Sequence, residues 1–271
     1  MAGKQPTGSD EQTSEEHLRT AFHRSVDEGA ARLDRDWIEL IATGLVGGMD
    51  LGLGILAMLV VEHATGSHML GALAFTTGFL ALTLGKSELF TENFLVPVAA
   101  VLARKATVLA MVRLWFVTAV MNLVGGWLFA WLFVLGLPRL HATALETAAV
   151  YPSWSYSRAL ALGVLGGIAI TLMTWMERGA ESEFGRIAAV SAIAFLLAAA
   201  PLNHVIVGSL EMFTAMHTGA ASYGYGEWAR VAALGGIANM VGGLLFVTTL
   251  RFAQVGAEKI RAEQAGRGEA D

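Results

Sequence analysis

The chain has 271 residues, 55% of them apolar and only 15% charged, with a mean hydropathy of +0.55. A soluble domain holds about 45–50% apolar and about 25% charged residues, so an ordinary soluble fold is excluded. With no cysteine, disulfides and thiolate metal sites are excluded too, and the net charge of −5 says less than the placement of the positive residues.

Residues 1–36 are polar and mixed in sign, and they form a tail without the pattern of a cleavable signal peptide. The first span is therefore expected to act as the targeting signal. Leu18, Phe22, Val26, Leu33 and Trp37 fall on one stripe at near-helical spacing, which predicts an amphipathic helix over 14–40. Such a helix would lie at the membrane interface or pack on a neighbouring subunit.

Residues 37–253 are long apolar runs. A bilayer core of roughly 30 Å needs about 20 apolar residues per helix, and six segments reach that length: 38–62, 69–101, 107–136, 157–177, 187–218 and 228–251. Residues 254–271 form a second polar tail. With both termini cytoplasmic, the Lys/Arg excess lies inside: both tails, Arg104, Lys105, Arg113, Arg178 and Arg186, against Arg139, Arg158 and Arg230 outside. This predicts a multi-pass protein of a bacterial inner membrane with both ends in the cytoplasm.

Span 3 contains Asn122–Phe129, NLVGGWLF, and span 6 contains Asn239–Phe246, NMVGGLLF. A second echo joins SELFT at 87–91 to SLEMFT at 209–214. Three spans per half put the second half upside down, so the fold class is an all-α, inverted 3+3 repeat. The paired glycines alone would reflect close helix packing; the repeated order around them is what indicates duplication. Spans 2 and 5 are overlong and interrupted, at Gly85-Lys86-Ser87-Glu88 and at Ala200-Pro201-Leu202-Asn203-His204. Proline removes a donor and disfavours helix before it. Non-helical backbone at membrane depth is tolerated only inside protein or beside a water-lined cavity, so paired breaks point to a transport pathway.

Over 38–252 the chain resembles the formate/nitrite transporter family, which includes hydrosulfide channels. The resemblance rests on Phe75-Thr-Thr-Gly78, Glu88-Leu-Phe-Thr91, Leu202-Asn-His204 and the two Asn-x-x-Gly helices, and ELFTEN is similar to an uncharacterised bacterial branch. It implies an aquaporin-like protomer assembled as a homopentamer with one pore each, and an N-terminal helix that gates the cytoplasmic mouth. It further implies constrictions formed by Phe75, Phe79, Leu89 and Leu197, with Thr91 offering a hydroxyl and His204 at the pore centre. Three positions depart from the family pattern: Asn203 replaces an acidic residue, Gly167 aligns with an asparagine, and Tyr151 falls where a vestibular lysine is expected.

A charge at the bilayer centre costs about 2.5–3.5 kcal/mol on insertion scales, whereas a neutral acid avoids that barrier. Histidine has the unperturbed pKa suited to lending a proton. The expected permeant is thus a small monovalent anion or its weak acid, of the formate, nitrite, acetate or hydrosulfide class, protonated with help from His204. Asn203 and Lys86 join the pathway; Asn122, Asn239, Glu88, Glu211 and Asp50 support it. Lys86 either attracts the anion or pairs with Glu88, Glu92, Glu211 or Asp50, and Asp50 reads as paired or protonated. The other six histidines read as solvated. No cofactor, metal or nucleic-acid partner is expected, and nothing resembles an enzyme's nucleophile triad or phosphate-binding loop. The alternative is an aquaporin-like channel for a small neutral solute, although the chain has no Asn-Pro dipeptide. A scaffold that has lost transport is a third reading.

Overall fold

The computed structural model describes residues 9–265, and these are helical apart from their connections. Helix α1 spans Ser9–Asp34 and α2 Trp37–Thr65. A capping box starts α2: the Asp36 carboxylate accepts from the Glu39 N–H while Glu39 accepts from the Asp36 N–H. Helix α3 (His68–Gly85) ends where Lys86 turns left-handed at φ 59°. A 3₁₀ turn (Phe90–Phe94) and α4 (Val96–Leu102) follow. Pro97 lies in the first turn of α4, where a missing N–H costs nothing. Then come α5 (Val108–Gly136), α6 (His141–Ala148), α7 (Val150–Ser153), α8 (Tyr156–Gly179), α9 (Glu183–Ala199) and α10 (Val205–His217). Helix α11 (Tyr225–Met240) runs through a π-helical stretch (Val241–Thr248) into α12 (Thr249–Val255), and α13 covers Ala257–Ala265.

Among the described residues, five helices are long and apolar enough to cross a membrane: Trp37–Thr65, His68–Gly85, Val108–Gly136, Tyr156–Gly179 and Tyr225–Val255. The overlong second and fifth segments of the sequence each divide into two helices, α3 with α4 and α9 with α10.

Each division exposes backbone groups that no helix satisfies, and one asparagine repairs each. Asn122 of α5 accepts from the Phe90 N–H and donates to the carbonyls of Gly44 and Glu88, at 2.8 Å in all three bonds. Asn239 of α11 accepts from the Val205 N–H at 2.9 Å and donates to the carbonyls of Gly163 and Asn203 at 2.8 Å. Both asparagines are fully buried. The match equates Glu88, Leu89 and Phe90 with Asn203, His204 and Val205. It overturns the second sequence echo, since Ser87 precedes one break whereas Ser209 lies within α10.

Glycines let these helices approach closely enough for the asparagines to reach. A Cβ on Gly48 would collide with the Asn122 carbonyl, and one on Gly167 with the Asn239 carbonyl. Within each glycine pair of the repeat, Gly125 and Gly242 lie against the backbone of α2 and α8, while Gly126 and Gly243 receive Leu210 and Phe94 from the other half. Gly167 is therefore a contact point between helices, not a vacated pore position.

Helix α1 covers this chain's own α4. Phe22 and Val26 are buried with Leu95, Val96 and Ala99, and Leu33 with Leu40, Ala100 and Leu114. Trp37 departs from the predicted stripe: it opens α2 and is 58% exposed.

Replacing Asn239 with alanine strands two buried backbone groups at the break, the Val205 N–H and the Asn203 carbonyl, each worth about 1–3 kcal/mol unsatisfied. Asn239→Ala and Gly167→Ala should both lower the thermal unfolding midpoint in detergent, by at least about 2 kcal/mol of stability. Gly136→Ala, where a Cβ meets nothing within 4 Å, should leave the midpoint unchanged.

Candidate functional site

His204 caps α10. Its backbone is extended (φ −98°, ψ 121°), and its Nδ1 accepts the Val207 N–H at 3.2 Å. Its Nε2 lies 2.6 Å from the Thr91 hydroxyl, which the 3₁₀ turn after the first break presents. Both residues are fully buried. Because Nδ1 accepts, it carries no proton, and the neutral ring must hold its hydrogen on Nε2, donating to Thr91 Oγ1. A second proton could enter only at Nδ1, at the cost of the helix cap.

The equivalence of the two breaks puts Leu89 in one half where the other has His204. Leu89 is buried in one apolar cluster with Phe75, Phe79 and Leu197, each no more than 2% exposed. The Phe75 and Phe79 rings meet edge-on with centroids 5.8 Å apart.

A cavity opens toward each face of the bundle. The one on the side of α1 holds about 200 Å³ and is lined by four basic and three acidic side chains, among them Arg32, Arg35, Lys86, Glu92 and Arg178. The far cavity, beside α6 and α7, holds about 270 Å³; Glu62, His68, Glu146, Tyr151 and Glu211 line it together with Leu197, Leu202 and Val207. The apolar cluster meets both, through Leu82 on one side and Leu197, Leu202 and Val207 on the other.

The ELFTEN segment is held from the terminal side by α1. Arg32, only 4% exposed, lies 3.3 Å from Glu88, 3.9 Å from Glu92 and 3.0 Å from the Asn93 side-chain oxygen. Arg35 also pairs with Glu88. Burial works against the charge of Arg32, but Glu88, Glu92 and Glu28 outweigh it and hold the guanidinium above its ordinary pKa. Neither arginine was legible as a site residue, since nothing in the spacing links the tail to a segment more than fifty positions on. The one available signal was a pair of arginines at the tail's end facing two unexplained glutamates.

The other expected site residues separate by location. Lys86 is exposed, lines the terminal-side cavity and forms no ion pair with a described residue, so of its two readings the pairing with Glu88, Glu92, Glu211 or Asp50 does not occur. Asp50 accepts from the Ser87 hydroxyl at 2.6 Å. The Asn203 amide donates to the Ala159 carbonyl at 3.0 Å, tying the second break to α8, and lines neither cavity. Glu211 stands apart at the far cavity, where it accepts from the Tyr151 hydroxyl at 2.7 Å. His217, expected to be solvated, packs edge-on against Trp127 with its Nε2 buried. His23, Asp27 and Glu263 bring possible metal-ligand atoms within 4.8 Å of one another. Lys105 Nζ, however, lies 3.1 Å from Asp27 and 2.8 Å from Glu263, so an ammonium already supplies the positive charge there.

Known proteins carry the same architecture. The sequence matches the family described as Formate/nitrite transporter over residues 19–253. It is 25% identical to the Escherichia coli (strain K12) inner membrane protein YfdC over 87% of this chain and 78% of that one. It is 24% identical to the Bacillus subtilis (strain 168) uncharacterized transporter YrhG over 84% of this chain and 89% of that one. Two solved structures share the fold. An FNT family ion channel has a TM-score of 0.77 at 16% identity, covering 86% of this chain and 98% of its own. A pentameric formate channel with formate bound has a TM-score of 0.67 at 19% identity, covering 80% and 96%. With the match running from α1 to α12, this multi-pass membrane protein belongs to the formate/nitrite transporter family.

Proposed function

We propose that the chain conducts a small monovalent weak acid or its anion, of the formate, nitrite, acetate or hydrosulfide class, through one pore per protomer of a homopentamer. The setting is a bacterial inner membrane with both termini cytoplasmic. The observation that carries this reading is the buried His204–Thr91 pair, which joins the two breaks and lies close in the chain to Leu89 and Val205 of an apolar cluster that meets a cavity on either side. The pentamer and the formate-class substrate draw support from the relatives, whose names speak of transport and of a pentameric formate channel.

An anion crossing the cluster of Phe75, Phe79, Leu89 and Leu197 would lose its water without replacement, a loss that costs several kcal/mol for an unpaired ion. His204 offsets part of it by offering Nε2–H to the permeant's oxygen or sulfur once Thr91 yields the bond. The ring assists protonation by favouring the form that shares a hydrogen. Full proton loss from the neutral ring would leave an imidazolate, so the transferred proton itself comes from the cavity side. Lys86, without an ion-pair partner among the described residues, stands at the terminal-side mouth and draws anions toward that end or releases them from it. Arg32 and Arg35 neutralise Glu88 and Glu92, which would otherwise repel an anion just below Thr91, and this makes α1 a fixed clamp on the broken helix.

The second reading, a channel for a small neutral solute, is favoured by one observation: among the described residues no lysine or arginine lines the far cavity. Proteoliposome flux separates the two. Formate, nitrite or acetate uptake with parallel internal acidification supports the weak-acid reading; water or glycerol flux without acid flux supports the other. His204→Ala should reduce weak-acid flux at least 10-fold between about pH 5 and pH 8, and His204→Asn, which keeps a donor, should recover part of it. Wild-type rates in both variants would reject the role of His204. Arg32→Ala leaves the buried Glu92 without its arginine and Glu88 with Arg35 alone, and loss of one partner of a buried ion pair costs about 3–5 kcal/mol. Its unfolding midpoint should fall, and the double variant Arg32→Ala with Glu88→Gln should regain part of the difference.

A further inference from the structure

The far cavity has a charge pattern that an anion pathway does not require. Among its lining residues are three carboxylates, Glu62, Glu146 and Glu211, one histidine and no lysine or arginine. Glu146 is exposed, and Glu62 sits 3.5 Å from His68 with its second oxygen buried and unpartnered. Glu211 differs from both. It is 9% exposed, its Oε2 is fixed by the Tyr151 hydroxyl at 2.7 Å, and its Oε1 has no described protein partner and opens to the cavity. Tyr151 is itself 3% exposed. Its ring lies where a Cβ on Gly208 would come within 2.8 Å, and it meets Trp154 edge-on with centroids 4.9 Å apart. The hydroxyl therefore has one direction in which to point, and the carboxyl is held with one oxygen engaged and the other free.

We infer that Glu211, positioned by Tyr151, is the proton-loading residue of the far cavity: it delivers a proton to the conjugate base of a small weak acid and, with Glu62 and Glu146, excludes anions that cannot be protonated. The inference rests on the weak-acid reading above and supplies the proton that His204 cannot.

The step balances simply. The O–H bond at Glu211 Oε1 breaks, its electron pair stays on the carboxylate, and the proton forms a new O–H or S–H bond on the permeant. Tyr151 keeps donating to Oε2 in both states. Water in the open cavity then returns a proton to Glu211. The neutral acid leaves the cavity over Leu197, Leu202 and Val207, the part of its lining that belongs to the apolar cluster. The groups that share the field of Glu211 are Glu62 of α2, His68 at the start of α3, Glu146 of α6, Tyr151 of α7 and Tyr223 before α11. Helix α5 packs on α10 through an apolar contact next in sequence to Glu211, with Leu210 seated on Gly126. Two of these groups, Glu62 and Glu146, are carboxylates like Glu211 itself, so the field of the cavity repels anions that carry no proton.

The test uses the full-length protein in proteoliposomes, with acetate as the weak acid, thiocyanate as an anion that does not take up a proton, methylammonium as a small cation, and internal pH recorded throughout. Wild type should carry acetate with acidification, faster at lower pH, and should exclude thiocyanate. Glu211→Gln, which still accepts from Tyr151, should lose acetate flux at least 10-fold and flatten its pH profile while keeping the wild-type assembly on size exclusion. Tyr151→Phe, which keeps the carboxyl but frees it, should shift the pH profile with a smaller loss. Acetate transport that is unchanged in rate and pH profile in both variants would overturn the role of Glu211 and leave the weak-acid reading standing. Thiocyanate passing as fast as acetate in wild type, or a loss confined to methylammonium in Glu211→Gln, would overturn it as well. A wild type that moves no weak acid removes the reading on which the inference stands.

Discussion

Two asparagine side chains make this architecture possible. A helix that stops inside a membrane leaves N–H and C=O groups with no water to bind, and each would cost more than most single contacts recover. Asn122 and Asn239 each satisfy one donor and one acceptor at a break and tie it to a carbonyl of the first helix, and each does so from the third long helix of its own half. The glycines at 48 and 167 follow from that arrangement, since only a bare Cα lets the helices close to the distance the amide can bridge. Every other feature of the pore depends on these breaks staying open without unsatisfied backbone.

On that common frame the halves have diverged in chemistry. The first break carries Leu89, Thr91 and a pair of glutamates neutralised by Arg32 of α1 and by Arg35 just after it. The second carries His204, with no such charge beside it, and places Glu211 at the opposite cavity. The terminal-side cavity sets four basic side chains beside three acidic ones, whereas the far cavity has three carboxylates and no described lysine or arginine, so the two present different electrostatic surfaces.

The membrane class and the duplication were open in the sequence because both are written in local order: apolar runs of spanning length, and the phrases starting at Asn122 and Asn239. The interruptions at Gly85 and Pro201 were equally local. A second pair of phrases, Gly44-Leu-Val-Gly47-Gly48 and Gly163-Val-Leu-Gly166-Gly167, repeats in the first helix of each half, and its signal lies in the same kind of pattern. The SELFT and SLEMFT likeness misled because shared letters do not fix register, whereas hydrogen bonds do. Long-range pairings stayed hidden for a physical reason. Arg32 meets Glu88, and Tyr151 meets Glu211, only after α1 folds back over α4 and α7 tucks beneath α10. No periodicity within one helix encodes such meetings. Lys86 reads from sequence as an intramembrane charge in need of a partner, yet the chain's left-handed turn at that residue carries it out to the cavity mouth.

The locality of the asparagine bridges bears on how the protein is made. The orphan amide at Phe90 meets its acceptor only 32 residues later in the chain, and the one at Val205 only 34 residues later. Each inverted half can thus close its own gap as soon as its third hydrophobic segment leaves the ribosome, before the rest of the polypeptide exists. Biogenesis can proceed in two instalments, and the contact between Thr91 and His204 is where the second instalment locks onto the first.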